Sequence, residues 1–147
     1  MNLTINLGAT YDGNGKYFAT NANFTNNGTV SNLRFSFNNS NTIIASSSIL
    51  NVSVCLINNS TISLASGTQM NVPTAGNFQL GGSAIFNNNG TLVVGTIFKS
   101  SGAPSFNNLN GGILSLSSNL PSPITLNSSA NSTINLLSGV TSIPNWS

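Results

Sequence analysis

Apolar side chains in this 147-residue chain arrive in short runs, two positions apart, with corners of Asn, Gly and Ser between the runs. The runs read Val52-Ser53-Val54, Ile62-Ser63-Leu64, Met70-Asn71-Val72, Phe78-Gln79-Leu80, Leu92-Val93-Val94, Ile113-Leu114-Ser115-Leu116, Ile124-Thr125-Leu126 and Ile134-Asn135-Leu136. A period of two sends alternate side chains to opposite faces of an extended backbone, so each run predicts a short strand with one buried face. Runs of Leu, Ala, Glu, Lys, Gln and Arg at helical spacing are missing. The chain therefore reads as all-β.

One type of corner recurs. It appears in Phe24-Thr25-Asn26-Asn27-Gly28-Thr29-Val30, in Ile57-Asn58-Asn59-Ser60-Thr61-Ile62 and in Phe86-Asn87-Asn88-Asn89-Gly90-Thr91-Leu92. Weaker copies start at Phe106 and Ser129. Asn and Gly tolerate the left-handed backbone of tight corners, and Asn can bond its own backbone two residues on. The apolar residue after the corner falls at Leu92, Ile113 and Ile134, two intervals of 21 residues. Coils of about twenty residues with two or three short strands each predict a parallel β-solenoid, stacked around one apolar column. Asn at equivalent corners would stack into an amide ladder. The alternative is an antiparallel β-sandwich or jelly roll, but sandwich strands usually run ~5–6 residues with turn signals every ~8–12 residues. The expected core is Ile62, Leu64, Phe78, Leu80, Leu92, Val94, Ile113, Leu116, Ile134 and Leu136.

The whole chain, 1–147, reads as one domain, with degenerate repeats over 21–140. Residues 1–20 carry two of the four charges and both tyrosines. Tyr11-Asp12-Gly13-Asn14-Gly15-Lys16-Tyr17 suggests a hairpin with Tyr11 and Lys16 facing across it, placed as a cap on one end. The Asp-x-Asn start of that loop resembles a calcium loop, but the carboxylates that should follow are missing, so it reads as a turn. The tail, 141–147, holds the only Trp, Trp146, as a cover for the other end. Pro121 and Pro123 mark a longer loop before the last coils.

Charge narrows the function. Only Asp12, Lys16, Arg34 and Lys99 are charged at neutral pH, there is no Glu and no His, and 65 of the 147 residues are Asn, Ser or Thr. Acid–base, metal and phosphate chemistry draw on the missing types, so no enzyme, cofactor or metal is expected. A glycosidase needs two carboxyl groups, a lyase needs a base, and a Ser nucleophile needs a partner to activate it. Lys99 reads as a solvated charge at a strand exit. Three cations and one anion make no basic patch, so nucleic acid is not an expected partner. No apolar run approaches the ~20 residues of a membrane helix. Met1–Asn6 lacks the basic and apolar regions of a signal peptide, so either the chain comes from a longer protein or its export leaves no mark here. Cys55 is single and reads as a buried small hydrophobe rather than a reactive thiol.

Eleven Asn-x-Ser/Thr acceptor sites open at Asn2, Asn23, Asn27, Asn38, Asn51, Asn58, Asn59, Asn89, Asn127, Asn131 and Asn145. Glycans there would supply the solubility that charge normally gives. The favoured positions are Asn23, Asn27, Asn38, Asn58, Asn89, Asn127 and Asn131. Asn51 is disfavoured because its neighbours look buried. The competing explanation is that the same residues simply build corners. Rows of surface Thr and Asn also suggest ice binding, though strict Thr-x-Thr columns are absent.

The units Asn-Asn-Gly-Thr-Val, Asn-Asn-Ser-Thr-Ile-Ser-Leu, Asn-Asn-Gly-Thr-Leu-Val-Val and Asn-Gly-Gly-Ile-Leu-Ser-Leu, over about residues 20–140, resemble the stalk repeats of β-helical surface proteins. Filamentous haemagglutinin-like regions, autotransporter passengers and Asn-rich amoebal surface proteins have this character. The resemblance implies a stalk, spacer or adhesive element at an extracellular, cell or particle surface, and it carries over no catalytic residue. Low charge adds the expectation of self-association in a filament, coat or oligomer. The alternative is a carbohydrate- or surface-binding module, with Tyr11, Tyr17 and Trp146 as the aromatics for stacking on sugar.

Overall fold

A computed structural model describes residues 3–20, 24–39, 41–44, 48–73, 77–119, 124–137 and 139–140. Among them are seventeen strands and no helix. The strands are β1 (Leu3–Ile5), β2 (Thr10–Asp12), β3 (Tyr17–Thr20), β4 (Phe24–Asn26), β5 (Thr29–Asn38), β6 (Asn41–Ile44), β7 (Ile49–Asn58), β8 (Thr61–Leu64) and β9 (Gln69–Val72). They continue with β10 (Phe78–Gly81), β11 (Ile85–Asn88), β12 (Thr91–Val94), β13 (Ile97–Lys99), β14 (Ser105–Asn108), β15 (Ile113–Leu116), β16 (Thr125–Ser128) and β17 (Thr133–Leu136). Every strand pairing among the described residues is parallel.

The strands stack in three columns. β1, β4, β6, β8, β11, β14 and β16 form a seven-stranded sheet, face A. The other ten strands form a second sheet that folds around an edge. β5 and β7, ten residues each, run through that edge. Their first parts stack with β2, β9, β12, β15 and β17 as face B. Their second parts stack with β3, β10 and β13 as face C. The chain passes A, B, C and steps to the next coil, making a parallel β-solenoid of about six turns. Strands this short, each ended by a corner, pair with the same strand of the next coil, and the sandwich alternative falls because no antiparallel pair forms among the described residues.

Coil length varies. The partners Leu3/Phe24, Thr25/Ile43, Ile44/Leu64, Leu64/Asn88, Asn88/Asn108 and Asn108/Ser128 lie 21, 18, 20, 24, 20 and 20 positions apart. The interval of 21 through Ile113 is out of phase. Leu92 pairs with Leu114, which pairs with Ile134, so Ile113 takes the outward place held by Thr91 and Thr133. The cause is the corner between faces A and B, two residues long at 89–90 and four at 109–112.

Stacking puts like on like in the core. Val30, Leu50, Met70, Leu92 and Leu114 line face B from within, and Phe35, Cys55, Phe78 and Ile97 line face C. Under face A, the Phe86 and Phe106 rings stack with centroids 5.3 Å apart and planes 12° from parallel, close to the ~4.8 Å strand spacing. Of the expected core, Ile62, Leu64, Phe78, Leu80, Leu92, Val94 and Leu116 are fully buried. Ile134 is half-buried and Leu136 is 47% exposed. Their strand β17 is the last of its column and has a stacked neighbour on one side only among the described residues.

The corners divide by place. Asn26–Thr29 and Asn88–Thr91 join face A to face B, whereas Asn58–Thr61 joins face C to face A, so the recurrent motif serves two geometries. In the second, Asn39, Asn59, Gly82 and Gly102 stack as left-handed residues with φ of 51°, 49°, 61° and 67°, a conformation open mainly to Asn and Gly. Gly90 is fixed by close approach instead. A Cβ there would meet Thr68 O at 2.6 Å and Ala65 O at 2.8 Å, because the longer corner of the neighbouring coil lies over it.

The expected N-terminal hairpin does not form. β2 and β3 each pair in parallel with β5 and not with each other. The Gly13–Gly15 turn is a corner, tied to the next coil by Gly13 N–H to Ser31 O at 2.8 Å and Gly15 N–H to Asn32 O at 2.6 Å. Residues 3–20 are thus the first coil. Asn2, Asn23, Asn145, the Pro121/Pro123 loop and the 141–147 tail with Trp146 lie outside the described residues.

Candidate interaction surfaces

Two amide ladders climb the solenoid. The inner one is a single buried step from Asn88 to Asn108 at the edge between faces A and B, and buried Asn26 holds the same column place, parted from Asn88 by the positions of Ile44 and Leu64. Asn88 Oδ1 accepts the Gly90 N–H at 3.2 Å, while its Nδ2 donates to Asn108 Oδ1 at 2.8 Å and to Ile113 O at 3.0 Å. Asn108 Nδ2 donates to Thr133 O at 2.9 Å. Asn26 spans its own corner, with Nδ2 to Gly28 O and the Gly28 N–H to Oδ1, both at 3.1 Å. A corner strips some backbone groups of ladder partners, and a buried amide supplies them, since a buried polar group left unpaired is costly.

The outer ladder lies on face A. Asn127 Nδ2 donates to Asn107 Oδ1 at 2.7 Å, Asn107 Nδ2 to Asn87 Oδ1 at 2.8 Å, and Asn87 Nδ2 to Ser63 Oγ at 3.4 Å. A primary amide has two N–H groups and an oxygen with two lone pairs, so each rung keeps donor and acceptor capacity facing outward.

All four charges gather elsewhere. Arg34 and Lys99 lie on face C, Lys16 in the corner that leads to it, and Asp12 on the first strand of face B. Face A bears none. Asp12 Oδ1 accepts the Asn14 N–H at 2.9 Å and Asn32 Nδ2 at 3.1 Å. Those bonds, the backbone one first, hold its carboxyl below the ordinary 3.8. The Arg34 guanidinium lies over the Tyr17 ring, 4.0 Å from its centroid. Lys99 ends β13, at the strand exit expected from sequence.

The acceptor sites differ in access. Asn38, Asn58, Asn59, Asn127 and Asn131 are exposed, and Asn27 and Asn89 half-buried. Asn51 is exposed as well, although its neighbours are buried as the sequence suggested. Its neighbours Leu50 and Val52 are buried, and alternation then sends Asn51 outward. Cys55 is buried beneath face C between Phe35 and Phe78, and desolvation pushes its thiol pKa upward.

At the edge between faces B and C, where corner length changes from coil to coil, a cleft of about 500 Å³ opens. Asn14, Asn32, Asn51 and Asn71 line it with Ser53 and Pro73. The four Asn residues stand 18, 19 and 20 positions apart, one per coil. That spacing was the only sequence signal for the site, and it is hidden among 27 Asn residues.

No family model, no curated protein and no solved structure matches this chain.

Proposed function

We propose that the chain is a non-enzymatic structural element of an extracellular, cell or particle surface: a stalk, filament or coat subunit that works self-associated. The observation that carries this reading is the placement of charge. All four charged side chains lie on face C, on its corner or at the first strand of face B, so face A is an uncharged, regularly spaced sheet surface. Mixed surface charge normally keeps copies apart, and nothing does so on face A. Seven stacked strands at ~4.8 Å make a stiff spacer on the order of 30 Å long. Glycans on Asn38, Asn58, Asn127 or Asn131 would supply solubility and set which faces stay free to associate.

Sedimentation velocity of deglycosylated protein at micromolar concentration tests the reading. Oligomers or filaments are expected, and an Asn87→Lys/Asn107→Lys/Asn127→Lys variant, which places like charges on face A, should shift them toward monomer. A stable wild-type monomer sinks the proposal.

A further inference from the structure

The cleft between faces B and C uses other residues and is independent of the assembly proposed above. We infer that it is a binding site for a neutral saccharide. Its volume, about 500 Å³, falls within the ~300–1,000 Å³ of small-molecule sites. Among the described residues its polar lining is Asn14, Asn32, Asn51, Asn71 and Ser53, all uncharged. Amides donate and accept at once, as sugar hydroxyls do, so each can form paired bonds with one hydroxyl or with two neighbours on a ring.

Three of the four amides, those of Asn32, Asn51 and Asn71, are held before any ligand arrives. Asn71 Nδ2 donates to Asn51 Oδ1 at 2.6 Å, Gln69 Nε2 to Asn71 Oδ1 at 3.3 Å, and Asn32 Nδ2 to Asp12 Oδ1 at 3.1 Å. Asn14 and Asn32 have left-handed backbones, with φ of 46° and 52°. Fixing the groups in advance lowers the ordering cost of binding. One N–H remains on Asn32 and one on Asn71 beyond these bonds, and exposed Pro73 offers an apolar plate for the C–H face of a ring.

Charge selects the class. No lining side chain is cationic, so a phosphate, sulfate or uronate finds no counter-charge, and the Asp12 carboxylate bonded to Asn14 and Asn32 repels it. Asn51 and Asn71 are register partners on paired strands, so their amides stand about one strand spacing of ~4.8 Å apart, which suits an extended oligosaccharide laid along the solenoid axis better than a compact monosaccharide.

Calorimetry of the full chain with cellotetraose, a mannose tetramer and an N-acetylglucosamine tetramer tests this, with tetragalacturonate as the acidic comparator. At least one neutral oligomer should bind saturably, with hydrogen-exchange protection of peptides containing residues 14, 32, 51 and 71. Asn51→Ala/Asn71→Ala should weaken binding by about tenfold or more. Ser53→Trp, which fills the cleft, should abolish it, and Asn107→Ala on face A should leave it unchanged. The inference is overturned if no neutral oligomer saturates at millimolar concentration, if protection appears elsewhere, or if tetragalacturonate binds as tightly. Calorimetry reads binding in monomer and assembly alike, so its failure is distinct from a failure of self-association.

Discussion

Asn88→Ala and Asn107→Ala each delete one amide from a ladder, and the two should differ widely in cost. Asn88 is fully buried, and its amide pairs with the Gly90 N–H, Asn108 Oδ1 and Ile113 O. Removing it takes a bond from three polar groups, and a buried group left without any partner costs about 1–3 kcal/mol. Water reaching the vacated space recovers part of that, so we expect a loss of about 3–6 kcal/mol. Asn107 also makes two ladder bonds, at 2.8 and 2.7 Å, but on the outward side of face A. There water replaces both bonds, and the expected loss is below about 1 kcal/mol. Urea unfolding followed by far-UV circular dichroism measures both, with equal slopes required for the comparison. Equal losses for the two variants, or less than about 1 kcal/mol for Asn88→Ala, would refute the claim that burial gives the inner ladder its weight.

Phe106→Ala should cost about 3–5 kcal/mol in the same assay through the cavity beside Phe86, whereas Phe98→Ala, on an outward position that is 36% exposed, should cost much less. Gly90→Ala should lose about 1–3 kcal/mol from overpacking against the Thr68 and Ala65 carbonyls, read as a lower urea midpoint. Cys55 should resist iodoacetamide in native protein and react after denaturation. Its folded pKa is raised above the unfolded value, so its contribution is complete below the ordinary thiol range and declines as pH rises through and beyond that range. A native thiol that alkylates as fast as free cysteine rejects the burial argument.

Strands and corner chemistry were legible because both are local. Val52-Ser53-Val54 or Phe78-Gln79-Leu80 shows its buried side through alternation within three residues, and the Asn and Gly corners declare their backbone through the residue type alone. Phase was less secure. At Ile113-Leu114-Ser115-Leu116 both Ile113 and Leu114 are apolar, and only pairing with Leu92 shows that Leu114 points inward. The Tyr11–Tyr17 segment contains every local feature of a hairpin, yet β5 offers each half a parallel partner and the hairpin is lost.

The candidate site was not legible at all. Asn14, Asn32, Asn51 and Asn71 are ordinary corner or strand residues when read one at a time, and the charge-free face A is a property of seven strands drawn from the whole chain. Short strands, Asn and Gly corners, a parallel coil and a scarcity of charge follow from residue order and composition, because alternation and left-handed tolerance act over a few residues and charge is a sum over the chain. Which residues share a column is set when the coils stack, because register depends on coil lengths that run from 18 to 24 residues. Corners absorb added residues: 59–60 and 82–84 differ in length by one, yet they deliver Ile62 and Phe86 to the same inward column, so spacing along the chain does not give the phase.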